Sequence, residues 1–258
     1  MSTVKTLIKN HIAIITINRP KQLNALSLQV LSDLKKAFQA VQDNDQVGII
    51  ILTGEGDKAF IAGADIKEMS TFLSDDAIRY SRNGQSLTKY IENFPKPVIA
   101  AINGFALGGG CEFAMACHIR YASDTAQLGQ PEVGLGLIAG FGGTQRLPRL
   151  VGRGRALEIL LSGGMLSASD GKEMGLLNAI FPKESLMKAC IDLALRILSN
   201  GPIAIRETIY AVNEGLDLSL EDGLDKEAER FGTIFASEDQ TEGTSAFVEK
   251  RRAKFTGR

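Results

Sequence analysis

A chain of 258 residues is long enough to bury a sizeable core without disulfides or metals, and it fits one large domain with at most a small appended part. Hydrophobic residues at 44%, charged residues at 23% and a formal net charge of −1 exclude a protein that holds nucleic acid or anionic lipid through bulk charge. Cys111, Cys117 and Cys190 show no CxxC spacing and are too scattered for a disulfide framework, so a reducing compartment, the cytoplasm, is expected.

The first residues, MSTVKTLIKNHIAIITIN, break each apolar stretch with a charge before a signal-peptide core could form, which predicts no secretion. No run of about 18 apolar residues occurs that could cross a bilayer as a helix, and no membrane contact is expected. His11 to Asn18 is rich in β-branched residues and predicts a strand. Ser27 is placed to cap a helix carrying Leu28, Leu31, Leu34, Phe38 and Val41, which stops at the polar QDND. Val47 to Thr53 (VGIIILT) and Val98 to Asn103 (VIAAIN) read as buried strands. Between them Ser74 is placed to cap a helix with Ile78, Leu87 and Ile91, which Pro95 ends. Strands alternating with helices predict an α/β fold with a mostly parallel sheet. From about Lys183 the strand signals stop and three amphipathic helical patterns follow, interrupted by Gly201-Pro202; no linker marks a separable domain.

Two glycine turns depart from ordinary connections. Phe60 to Lys67 (FIAGADIK) follows the second strand, and Ala106 to Glu112 (ALGGGCE) follows the third. Three successive glycines before a helical run let the backbone present bare N–H groups at a helix N-terminus, where the dipole favours negative charge. With a second N–H from the AGAD turn, such a pair could grip a thioester oxygen as it becomes an enolate, at roughly 3 kcal/mol per donor in the transition state. GxxxxGK[ST] is absent and the glycines do not match GxGxxG, which disfavours nucleotide hydrolysis and dinucleotide binding. Glu112 falls in the first helical turn after the glycines, and Glu132 in the stretch LGQPEVGLG. Facing carboxyl groups can divide the work of a syn-type addition of water, one as base for the water and one as acid for the α-carbon. Their proximity also resists double ionisation and keeps one protonated. Singly, each feature has an ordinary reading: a tight strand-to-helix turn, a charge suited to a helix N-terminus, a solvated loop carboxylate. Their joint occurrence favours chemistry.

GADIKEM, NGFALGGGCE, GQPEVGLGLIAGFGGTQRLPRLVG and the closing FVEKR together resemble the crotonase superfamily, and most closely its enoyl-coenzyme A (CoA) hydratases, over nearly the whole chain. The resemblance implies a crotonase-like spiral of ββα turns over residues 1–195. It also implies a helical part over 196–258 that packs in trimerisation, giving a homotrimer or a homohexamer. It assigns the oxyanion hole to the amides of Ala64 and Gly109 and the catalytic pair to Glu112, which would deprotonate water, and Glu132, which would protonate the α-carbon. It assigns substrate contacts to Ala62, Asp65, Ile66 and Lys67 and a shaping role in the water pocket to Gly140. Lys58 and Lys250 match phosphate contacts, with solvated surface lysines as the alternative reading.

The implied activity is hydration of the 2,3 double bond of short-chain 2-enoyl-CoA thioesters. Isomerisation of the same substrates is the alternative, and a non-catalytic RNA-binding relative is disfavoured by near-neutral charge and the lack of tryptophan. No metal and no separate cofactor are implied, because coenzyme A is part of the substrate. Ala139 stands where many hydratases have proline, which bears on the rigidity of that loop, and His118 stands where an aspartate is frequent. His11 and His118 read as structural residues and Cys111 as a small buried thiol. Phe231, Phe235 and Phe247 either pack helices or line the acyl channel.

Overall fold

The computed structural model describes residues 2–258. β1 (Val4–Lys9) and β2 (Ile12–Ile17) form an antiparallel hairpin whose two loop residues, Asn10 and His11, both take positive φ (51° and 61°). That loop fits the strand twist, and it gives His11 a turn role. β1 was not expected from the sequence: only Val4 is buried and its lysines lie along a sheet edge, so it lacks the apolar run that marks a buried strand.

α1 (Leu28–Gln42) is capped by Ser27, whose side chain accepts from the Val30 amide at 3.3 Å, and it buries Val30, Leu31, Leu34, Phe38 and Val41. The chain then builds paired strands. β3 (Ile49–Gly54) is followed by β4 (Ala59–Ile61), the short helix α2 (Ile66–Met69) and α3 (Ser74–Glu92); β5 (Val98–Ile102) by β6 (Phe105–Leu107) and α4 (Gly109–Ala116); β7 (Ile119–Ser123) by β8 (Gln127–Gly129), α5 (Gly143–Val151) and α6 (Arg153–Ser162). The first member of each pair enters a six-stranded sheet of order β1-β2-β3-β5-β7-β10, and the second a four-stranded sheet of order β4-β6-β8-β9. β9 (Met165–Ser167), α7 (Ala168–Glu173) and β10 (Ala179–Phe181) close the two sheets. β2, β3, β5, β7 and β10 run parallel, as do β4, β6 and β8. This is the crotonase-like ββα spiral, with each turn stacking on the last.

Ser74 does not cap α3 but begins it; Leu73 precedes the helix, and the Asp76 carboxylate accepts from the Leu73 amide at 3.1 Å. Ile78, expected in the core stripe, is 46% exposed. The large sheet is covered on both faces, which is why its central strands are continuously apolar. Ala13, Ile15, Ile17, Ile50, Leu52, Ala100 and Ile102 face a core shared with α1, α3 and α4. Ile12, Ile49, Ile51, Ile99 and Ala101 face α8 (Leu186–Leu198), through Leu186, Cys190 and Ala194. The boundary expected at residue 195 therefore falls inside a helix that packs on the sheet. α9 (Pro202–Gly215), α10 (Leu220–Ile234) and α11 (Glu238–Val248) complete the chain. Among the described residues no helix is long and apolar enough to cross a membrane.

Candidate active site

The triple glycine makes a turn that other residues could not. Gly108 sits at φ +50°, its amide donates to the Gly129 carbonyl at 2.9 Å, and its own carbonyl accepts the first helical bond of α4 from Glu112 at 3.0 Å. A Cβ on Gly108 would lie 2.7 Å from Glu132 Oε1, and one on Gly110 would collide with the Ile61 carbonyl oxygen. The Gly109 amide, first in α4, has no acceptor within its helix.

The second amide comes from the turn after β4. Leu26 and Ala64 form an isolated parallel bridge in which the Leu26 amide donates to Gly63 O and the Asp65 amide to Leu26 O, both at 2.9 Å. In a parallel bridge the residue between those two bonds turns its own N–H to the opposite side. Among the described residues the Ala64 amide meets no protein acceptor, and Ala64 lines a cavity of ≈ 640 Å³ together with Gly109, Glu112 and Glu132.

Glu112 is 1% exposed. Its Oε1 accepts from the amides of Phe141 (2.7 Å) and Gly143 (2.6 Å). Oε2 receives no protein hydrogen bond, and because no unpartnered side-chain oxygen is fully buried among the described residues, Oε2 is open to the cavity. Burial lifts the carboxyl to about 7, the Gly143 amide pulls it back down, and the negative charge of Glu132 raises it again. Glu132 follows Pro131 in a 3-10 turn, Pro131–Leu135, and burial raises its carboxyl as well. Gln130, 1% exposed, supports it: with the amide nitrogen turned toward Glu132, it donates to Oε1 at 3.0 Å and Oε2 at 3.2 Å.

A match between residues 7–258 and the family model described as enoyl-CoA hydratase/isomerase accompanies this geometry. The chain belongs to the enoyl-CoA hydratase/isomerase family. It is 47% identical over 244 residues, 95% of this chain and 94% of the relative, to a crotonyl-CoA hydratase of Syntrophomonas wolfei subsp. wolfei. It is 43% identical to a short-chain-enoyl-CoA hydratase of Clostridium acetobutylicum, covering 93% of this chain and 92% of the relative. The crystal structure of an enoyl-CoA hydratase from Bacillus anthracis superposes with a TM-score of 0.95 at 39% identity, covering 99% of this chain and all of that one.

In this enoyl-CoA hydratase/isomerase family chain the cavity also takes in Ala62, Ile66 and Gly140, but not Lys58, Asp65, Lys67 or Lys250. The Asp65 carboxylate is committed elsewhere, accepting from both terminal nitrogens of Arg19 at 3.1 Å. Lys58, Lys67 and Lys250 are exposed outside the cavity wall. Phe231, Phe235 and Phe247 neither pack inside nor line the cavity; they are 62%, 57% and 85% exposed. Cys111 is buried, and desolvation with the two nearby carboxylates pushes its thiol up to about 12, far from a thiolate. His118 is structural, its Nδ1 accepting from the Val98 amide at 2.8 Å and its Nε2 lying 3.0 Å from the Glu92 carbonyl.

Sequence reasoning missed Arg19, Leu26 and Gln130, and also Ser81 and Gln85, which donate to the Gly140 carbonyl at 2.6 and 3.0 Å. A signal for the last two was present: Ser81, Gln85 and Thr88 form a polar stripe at helical spacing beside the buried Leu87 and Ile91.

Proposed function

We propose that this protein is an enoyl-CoA hydratase that adds water across the 2,3 double bond of short-chain 2-enoyl-CoA thioesters to give 3-hydroxyacyl-CoA. The observation that carries this reading is the sharing of one cavity by two partly desolvated carboxyls, Glu112 and Glu132, and two chain turns whose amides have no protein acceptor, at Ala64 and Gly109. The thioester oxygen accepts from those two amides. Water bonds to the β-carbon and gives its proton to Glu112. The electrons of the double bond move onto the thioester oxygen as an enolate, which the amides stabilise without reorganising. The enolate then returns its electrons to the α-carbon, which takes the proton of Glu132. One carboxyl is protonated and one ionised before and after, so the proton count balances, and the pair titrates as a unit.

Two anchoring amides offset part of the burial that raises Glu112, and this support for the ionised form favours the base role there. Isomerisation needs a single carboxyl to move a proton between carbons, and the pair supports hydration over it. Substrates with short acyl chains are supported by the two curated relatives, one a crotonyl-CoA and one a short-chain-enoyl-CoA hydratase. Exposed Lys58, just before β4, and Lys67, within α2, are assigned to the phosphates of coenzyme A, with Lys250 a further candidate. Exposed Leu216, Leu220, Phe231, Phe247 and Val248 on the C-terminal helices support self-association, as a homotrimer or homohexamer. Three buried free cysteines support a reducing compartment, the cytoplasm.

The test is direct. Purified protein mixed with crotonyl-CoA removes the conjugated enoyl absorbance and accumulates 3-hydroxybutyryl-CoA; inertness toward crotonyl-CoA and longer 2-enoyl-CoAs refutes the assignment.

A further inference from the structure

The anchor on Glu112 is itself held from the cavity wall, where Ser81 and Gln85 of α3 lie beside Gly140. α3 turns Ser81, Gly84, Gln85 and Thr88, at i, i+3, i+4 and i+7, toward the loop that carries Gly140 and Phe141. Ser81 Oγ donates to Gly140 O at 2.6 Å; Gln85 Nε2 donates to the same oxygen at 3.0 Å and to Ser81 Oγ at 3.1 Å. One residue along, Phe141 O accepts from Thr88 Oγ1 at 2.9 Å and Arg146 Nη1 at 3.1 Å. At Gly84 a side chain would collide with the Phe141 ring, so the glycine lets the loop lie directly on the helix.

The Gly140 carbonyl and the Phe141 N–H belong to one peptide group. Hydrogen bonds accepted at the carbonyl polarise the amide and fix its direction, and this amide donates to Glu112 Oε1 at 2.7 Å. With alanine at 139 the loop has no proline ring to stiffen it, and its placement rests on these side chains.

We propose that Ser81 and Gln85 are positioning residues that aim and strengthen the Phe141 amide on Glu112 Oε1, and so keep Glu112 Oε2 turned toward the attacking water. The proposal rests on the reading of Glu112 as the base. The charged and titratable groups facing Glu112 are Glu132 from its 3-10 turn, Arg146 from α5, Tyr80 from α3 and Cys111 on α4 itself. Substitution at 81 or 85 leaves all four in place.

The experiment pairs steady-state kinetics on crotonyl-CoA with a ¹³C-carboxyl NMR titration of Glu112, assigned by its loss in Glu112→Gln. In Ser81→Ala/Gln85→Leu, kcat falls about ten- to a hundredfold with KM within about twofold, and Glu112 titrates at higher pH than in the wild type. Ser81→Thr, which keeps the hydroxyl, stays within about twofold of wild type in kcat and titrates as wild type does. Ser81→Ala and Gln85→Leu singly, each keeping one donor, give intermediate shifts in the same direction, so the result is read even where the double variant fails to fold. An unmoved Glu112 titration in these variants overturns the proposal, as does a loss expressed in KM with kcat intact. The NMR arm needs no turnover, so a wild type inert on crotonyl-CoA fails the hydratase assignment without deciding this one.

Discussion

Glu112 on α4 accepts from the Gly143 amide at 2.6 Å, so the N-terminus of α5 holds the carboxylate carried by another helix. The α5 dipole and the Phe141 amide stabilise charge at Glu112 that its burial opposes. In Glu112→Gln the side-chain oxygen still accepts from both amides, so the fold is kept while the proposed base is lost. Turnover on crotonyl-CoA is expected to fall by about 10² to 10⁴, the usual worth of a positioned general base. Initial rates read this, with circular dichroism checking the fold.

The same residue sets a pH dependence of stability. Its carboxyl rises from 4.5 to about 7 on folding, so the native state holds its proton more tightly than the unfolded chain does. Stability therefore falls as pH climbs from 4.5 to about 7, by roughly 3 kcal/mol, and levels off above. Glu112→Gln removes this cost. Its denaturant midpoint is expected to exceed that of the wild type near pH 8 and to lose that advantage at about pH 4.

Gly108→Ala combines a left-handed backbone with a Cβ 2.7 Å from Glu132 Oε1. The expected outcome is a kcat loss of about a hundredfold as Glu132 is pushed from its place, with about 1 to 2 kcal/mol of lost stability. Crotonyl-CoA kinetics beside a urea titration measure both.

Arg19 binds Asp65 and also donates to the Ala25 carbonyl at 2.8 Å, so it ties down both sides of the Leu26–Ala64 bridge. With side chains only 21% and 20% exposed, the pair falls between surface and buried limits. Arg19→Ala is expected to cost about 1 to 3 kcal/mol and to lower kcat through a displaced Ala64 amide. Chemical denaturation and the kcat of the variant check the two parts separately.

Much of the fold was legible because burial writes a plain pattern. β2, β3 and β5 are largely apolar runs rich in β-branched residues and covered on both faces, and α1 carries its apolar stripe and its serine cap in view. β4, β6, β8 and β9 were not legible: each has three residues, too few to show a period. At the site, the glycine turns and both glutamates stood out through their joint occurrence in one chain. Asp65 shared the same motif, yet its partner Arg19 lies far back in the chain, and an ion pair across that separation leaves no local signal. The hold of Ser81 and Gln85 on the Gly140 carbonyl is a contact to backbone, which no side-chain pattern at residue 140 encodes.

The most direct measurement is the rate of crotonyl-CoA hydration by the wild type beside Glu132→Gln and Glu112→Gln, all three verified as folded. Rapid loss of the enoyl absorbance with the wild type, and a loss slowed by at least about a hundredfold in each variant, is the expected result. Wild-type inactivity, or a variant that hydrates at the wild-type rate, contradicts the division of the proton transfers between these two carboxyls.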